Sequence, residues 1–145
     1  MADLSVTLFG PVDTLLAPYV EYALLALVVL NFVSRYVAHR AHRRQAENDE
    51  ELTRHFFHSF TSWGLVLLSF YYLTLHHHAG IVVSILALST FLADFFEFEA
   101  RKVEIREGEP LESPKGAIVA ATFMLLYVGY LSVFFLLKPY WSQVV

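Results

Sequence analysis

Six side chains of types that bind metal ions lie near the ends of three apolar stretches in this 145-residue chain. They form three pairs whose members are three positions apart: His39 and His42, His55 and His58, Asp94 and Glu97. This spacing places both members of a pair on one face of a helix. Imidazole and carboxylate groups projecting from facing helices are how helical bundles build metal sites. Because the chain has no cysteine, the pattern favours a divalent transition metal such as zinc, iron, manganese or copper.

A helical hairpin would bring the four histidines of this set together. If the first two stretches turn about Asn48–Asp49, His39 comes level with His58, and His42 comes level with His55. The alternative is that these imidazoles simply lie in water where the helices leave the membrane. The arginines that surround them also repel a cation unless their side chains point away. Both interpretations stay open on the sequence alone.

Other kinds of chemistry find little support in the residue pattern. The absence of cysteine excludes disulfides, thiolate metal sites and thiol catalysis. No charged residue lies at the centre of an apolar stretch, which disfavours a proton pump or a selective channel. The histidine triplet at positions 76–78 lies at the far end of the second stretch, where a solvated turn is expected. No nucleophile–base set stands out, so catalysis is not predicted.

The elements that must position these residues are membrane helices. The chain is 57% hydrophobic and 17% charged, whereas roughly a quarter of an ordinary soluble domain is charged. A soluble domain of this size could not bury so much apolar surface, but lipid can accept it. There is no long basic tract of the kind that binds nucleic acid. The lipid bilayer is therefore the expected partner, and nucleic acid is not.

Four apolar stretches are long enough to cross a bilayer, whose core requires about 20 residues of helix. We predict an all-α, polytopic membrane protein that forms one domain over residues 1–145, with four transmembrane helices in an antiparallel bundle. The predicted spans are about 17–39, 55–75, 81–98 and 116–137, and the polar connections are about 40–54 and 99–115. Within the second connection, the segment VEIREGEP alternates in a way that allows a short extended piece.

The distribution of basic residues predicts the orientation in the membrane. Nine of the ten Lys and Arg residues fall on the side of the connections 40–54 and 99–115, and only Lys138 falls on the other side. Short loops rich in Lys and Arg stay in the cytoplasm. We therefore predict a multi-pass protein of the cell membrane whose two connections are cytoplasmic. Its N-terminus and C-terminus are then both extracytoplasmic.

Three functional hypotheses follow from this layout. The first is an integral membrane protein without catalytic activity of its own, acting as an accessory or scaffold subunit of a membrane assembly. Its partners would be other membrane protein subunits or further copies of the chain. The two cytoplasmic connections carry both signs of charge, a pattern typical of docking surfaces and of solvated loops alike. The alternatives are a metal-binding membrane protein that uses the His/carboxylate set, and a component of small-solute transport.

Two polar segments and the four-span layout carry a resemblance to known proteins. The segments are HRAHRRQAENDEE, from His39, and ARKVEIREGEPLESPKG, from Ala100. In these features the chain resembles small uncharacterised membrane proteins of halophilic archaea. The resemblance covers most of the chain and implies a location in the cell membrane, but it implies no particular chemistry.

Overall fold

The computed structural model describes residues 15–111 and 115–144 of the chain. After a short 3-10 turn at Ala17–Tyr19, four α-helices follow: α1 over Val20–Glu47, α2 over Phe56–Leu75, α3 over His77–Arg106 and α4 over Lys115–Val144. Over these residues the fold contains no strand, so the prediction of an all-α protein is confirmed.

The helices α1, α3 and α4 are longer than the predicted spans. α1 continues to Glu47 and α3 continues to Arg106, so much of each polar connection is helical. These segments are rich in Ala, Arg, Gln and Glu, which are strong helix formers, and no Gly or Pro interrupts them. The expected extended piece at VEIREGEP is wrong for this reason, and α3 ends only where Gly108 adopts a positive φ of 73°. The first turn forms as expected at Asn48–Asp49.

The other ends of the helices also differ from expectation. The turn expected over residues 76–80 is reduced to the single residue His76, and α3 begins at His77. A Cβ atom at Gly80 would lie 2.3 Å from the Cα of Leu73, so only glycine permits this close approach of α3 to α2. α4 continues beyond the predicted span of about 116–137, through Pro139 to Val144. Membrane helices tolerate the loss of the backbone hydrogen bond that proline cannot donate.

The four helices pack as a ring. α1 lies against α2 and α4, and α3 also lies against α2 and α4, so α1 and α3 face each other diagonally. The short connections make neighbours in sequence antiparallel. A buried apolar core fills the half of the bundle farther from the α1–α2 connection; its members include Val20, Leu24, Val28, Leu65, Val83, Ala87, Met124 and Val128.

The outer surface of the bundle is apolar, as expected of a protein surrounded by lipid. Large exposed side chains include Leu30, Phe60, Trp63, Phe96 and Phe123. Three helical segments are long and apolar enough to cross a membrane: Ala17–Glu47, His77–Arg106 and Lys115–Phe134. The prediction of four such segments needs correction, because α2 is not among them. Its Ser, Thr, His, Trp and Tyr residues keep the hydropathy of its 18-residue windows below that of the three other helices.

Candidate binding site

A buried hydrogen-bond cluster joins α1 to α2 toward the end of the bundle near their connection. The amide Nδ2 of Asn31 donates to Thr61 Oγ1 at 2.9 Å and to Ser62 Oγ at 3.0 Å. Asn31 and Thr61 are each only 1% exposed. Polar side chains in a membrane bundle are stable when they bond across helices in this way. The cluster therefore fixes the rotation of α2 so that its polar face points inward.

A salt bridge crosses the bundle diagonally from α1 to α3. The guanidinium of Arg35 donates from Nε to Asp94 Oδ1 at 2.8 Å and from Nη2 to Asp94 Oδ2 at 2.7 Å. Its Nη2 also donates to Asn31 Oδ1 at 2.8 Å. The Arg35 side chain is 3% exposed and that of Asp94 is 13% exposed. A bidentate pair of this kind is strong and geometrically specific, so it holds the two diagonal helices at a fixed distance.

His58 extends this network from α2. Its Nε2 lies 3.2 Å from Asp94 Oδ2, and its Nδ1 lies 2.8 Å from the hydroxyl of Ser34. A serine, a histidine and an aspartate in contact are the residue types of a hydrolytic triad. Ser34, however, is completely buried within α1, and its hydroxyl donates to the carbonyl of Asn31 at 2.7 Å. The arrangement therefore holds three helices together, and the hydroxyl does not face a space that a substrate could enter.

His42 occupies a second cluster closer to the α1–α2 connection. Its Nε2 lies 2.9 Å from the carbonyl oxygen of Thr53, and its Nδ1 lies 3.0 Å from Arg101 Nη1. A guanidinium can only donate and a carbonyl can only accept. The imidazole that fits both contacts is neutral, with its proton on Nε2. The ring also packs 5.3 Å from that of Phe98, so α1, α3 and the connection are held together here.

The six residues predicted as metal ligands divide between different surroundings. His58 and Asp94 contact each other, whereas His42 contacts Arg101. The Nδ1 atoms of His39 and His55 are buried without a hydrogen-bond partner. The Glu97 side chain lies against α4, with Oε1 3.4 Å from the position a Cβ would take at residue 116. Within residues 15–111 and 115–144, no three His, Asp or Glu side chains form a group that could hold a metal ion. Metal binding by this set stays a prediction.

A cavity of about 350 Å³ lies between α1, α2 and α3, next to both clusters. One part of its wall is polar and basic, and the other part is aromatic. Ser34 is not part of this wall, whereas Arg35, His58 and Asp94 are. The lining residues are Arg35, Ala38, His42, Arg54, His55, His58, Ser59, Ser62, Trp63, Phe91, Asp94, Phe95, Phe98 and Arg101.

More guanidinium than carboxylate groups line the cavity. Three guanidinium groups line it, from Arg35, Arg54 and Arg101, against the single carboxylate of Asp94. Arg54 lies over the ring of Phe98, with its Cζ 4.2 Å from the ring centroid, and is about half exposed. Arg101 is 6% exposed, and its Nε makes no hydrogen bond. A basic, partly apolar space of this kind suits an anion better than a cation.

The residues that dominate this site were not predicted as a set from the sequence. The sequence could have indicated the pairing of Arg35 with Asp94, because a charged residue inside a membrane span requires a partner at similar depth. Asn31, Ser34 and Arg35 are spaced three and four positions apart, which indicates one inward face of α1. The spacing does not reveal Arg101, which belongs to a segment expected to be a loop.

Comparison with known proteins identifies a family for this chain. A family model described as a domain of unknown function, DUF7313, matches residues 4–145. No curated protein and no solved structure matches the chain. The resemblance to an uncharacterised family is confirmed to this extent, and its halophilic archaeal source stays a prediction.

Proposed function

Because the chain belongs to the DUF7313 family, whose function is unknown, we propose a role from the geometry of its inner end, the end that carries the α1–α2 connection. The protein is a four-span membrane protein that acts as a non-catalytic accessory subunit and binds a ligand in the cavity between α1, α2 and α3. The observation that carries this proposal is the preformed cavity whose wall includes two buried arginines, each with one guanidinium nitrogen that has no hydrogen-bond partner.

The inward rotation of α2 supports its role as a fourth span. The residues that lower its hydropathy, among them Thr61, Ser62 and Ser69, are buried against other helices. Its outward positions carry large apolar side chains, such as Phe60 and Leu67. Lipid contacts only the outer face of a helix. The mean hydropathy over all residues of α2 therefore understates how well this helix suits the membrane. A helix of 20 residues is about 30 Å long, which matches the bilayer core.

The orientation rests on the distribution of basic residues. The helical extensions of α1 and α3 beyond the predicted spans hold many of the arginines, including Arg40, Arg43, Arg44 and Arg106, which are exposed. Positive charge of this kind keeps its side of the membrane cytoplasmic. The inner end is then cytoplasmic, and both termini are extracytoplasmic.

A binding role fits the site better than a catalytic one. The Ser34 hydroxyl is the nucleophile that the network would offer, and it is buried away from the cavity. The polar ends of α1 and α3 pack against each other through His42, Phe98 and Arg101. They therefore present a fixed charged surface at the inner end, where another subunit or a further copy of the chain would contact the protein.

Native mass spectrometry after purification in mild detergent tests the accessory role. We expect the chain to appear bound to another polypeptide or as a homo-oligomer. Variants that neutralise the exposed charges of the inner surface, Arg43→Gln with Arg44→Gln, should reduce this association without unfolding the helices. A strictly solitary chain under all mild conditions would contradict the proposal.

A further inference from the structure

One nitrogen in each of two buried guanidinium groups of the cavity wall lacks an acceptor. Nε of Arg101 and Nη1 of Arg35 are buried and have no hydrogen-bond partner. Both residues line the cavity, and both are more than nine-tenths buried. A buried charged donor without a partner is costly, so a ligand oxygen that reaches either nitrogen gains affinity from satisfying it.

Glu97, Asp94 and Glu104 lie near Arg101, but its Nε has no hydrogen-bond acceptor. Asp94 is engaged by Arg35 and by His58. Arg101 Nη1 contacts the imidazole of His42, and no carboxylate bonds to its Nε. A guanidinium binds phosphate or carboxylate oxygens through its planar fork. The unpaired Nε of Arg101 therefore favours an oxyanion.

The aromatic side chains of the cavity wall favour an apolar group. Trp63 and Phe91 form it together, with ring centroids 5.0 Å apart, and Phe95 continues it along α3. Trp63 is 56% exposed and Phe95 is 41% exposed on the lipid-facing surface of the bundle. The cavity thus meets the bilayer between α2 and α3. A free inorganic anion would leave this aromatic wall without contact.

The size of the cavity limits what can enter it. A volume of about 350 Å³ is at the lower end of the range for small-molecule sites, which is about 300–1,000 Å³. It accommodates a headgroup and the first part of a chain, while the rest of the chain would lie in the bilayer. An excess of positive charge at the inner side of a membrane also attracts anionic lipids.

We propose that this cavity binds an anionic amphiphile, with its phosphate oxygens on Arg101 and Arg35 and its apolar chain leaving between Trp63 and Phe95. An anionic lipid headgroup and free phosphate both offer oxyanion groups to the arginines. The aromatic wall favours the lipid, because only the lipid has an apolar chain to place against it. This inference rests on the ligand-binding part of the proposed function. It does not depend on whether another subunit associates.

Quenching of Trp63 fluorescence by brominated lipids tests the inference. Trp63 becomes the sole tryptophan in the Trp141→Phe variant, since the chain has two. The protein is placed in phosphatidylcholine nanodiscs that contain a minor fraction of either brominated phosphatidylglycerol or brominated phosphatidylcholine. We expect stronger, saturable quenching by the anionic lipid, and no displacement by inorganic phosphate alone. Displacement by phosphate, which would identify the free ion as the ligand, would contradict the proposal of an amphiphile.

Two variants and one control locate the binding in the cavity. Arg101→Gln should weaken the preference for the anionic lipid about 10- to 100-fold, as expected for the loss of a charge-assisted bond. Arg54→Gln should weaken it less, and because Arg54 is about half exposed its replacement leaves the fold intact. The control is Arg106→Gln, the same change at an exposed site on α3. Equal quenching by both lipids, or a preference unchanged in both cavity variants, would overturn the inference. Native mass spectrometry tests the accessory role independently of lipid binding, so the two proposals can fail separately.

Discussion

Replacing Asp94 with asparagine tests whether the diagonal salt bridge holds the bundle together. Asparagine keeps the shape of the side chain and one acceptor, but it removes the charge opposite Arg35. The Arg35 side chain is 3% exposed, so its charge would stay buried without a counter-ion. Removing one partner of a buried pair costs about 3–5 kcal/mol. Because asparagine and Asn31 still accept hydrogen bonds, we expect a loss of about 3 kcal/mol, at the lower end of that range.

Unfolding in mixed micelles by increasing fractions of SDS, followed by circular dichroism, measures this loss. The matched control is Glu99→Gln, which removes a carboxylate on the same helix that pairs with Arg54 at 3.4 Å and with Lys102 at 3.3 Å. These side chains are roughly half exposed, so the control should cost less than about 1 kcal/mol. A cost for Asp94→Asn no greater than that of the control would refute the reasoning.

The double variant Arg35→Met with Asp94→Asn separates the pair from its surroundings. Replacing both charges removes the unpaired guanidinium, and hydrophobic replacements of buried pairs are often neutral. We expect the double variant to recover at least half of the loss caused by Asp94→Asn alone. Additive losses from the two single substitutions would show that the residues do not interact.

Three further predictions follow from the same structure. Gly80→Ala should destabilise the bundle by about 1–3 kcal/mol through overpacking against α2, whereas Gly129→Ala, with no atom within 4 Å of the new Cβ, should not destabilise it; the same SDS titration compares them. A fluorophosphonate probe should leave Ser34 unlabelled, because its hydroxyl is buried, and labelling seen by mass spectrometry would contradict the non-catalytic role. Elemental analysis tests the metal hypothesis, which requires one metal ion per chain that is lost in the double variant His42→Ala with His55→Ala; a metal content unaffected by these changes would exclude that set.

The sequence predicted the helical class because lipid sets the length of an apolar helix and the chain has stretches of that length. It did not predict how far α1 and α3 continue, since the polar segments after them were interpreted as loops. Their composition favours helix, and neither Gly nor Pro stops them before Gly108. The sequence also did not predict that α2 would be less apolar than the other three helices. Its length was counted, but the lowering of its hydropathy by inward polar residues was not.

The candidate site was harder to predict than the fold. Asp94 was recognised as a residue with a role, but its expected partners were histidines and a metal ion. Helices that are apolar on most faces give little indication of their rotation. That rotation decides whether Asp94 contacts Arg35 in addition to His58. The inward face of α1 is indicated by Asn31, Ser34 and Arg35, and the sequence alone does not place Arg101 opposite it.

Labelling of single cysteines in intact cells tests most directly whether the chain crosses the membrane four times with its basic end inside. The chain has no native cysteine, and Glu50 and His78 are exposed on either side of α2. A membrane-impermeant maleimide should label His78→Cys in intact cells, and Glu50→Cys only after permeabilisation. Equal labelling of both variants would show that α2 does not cross the bilayer. Labelling of Glu50→Cys alone would show the opposite orientation.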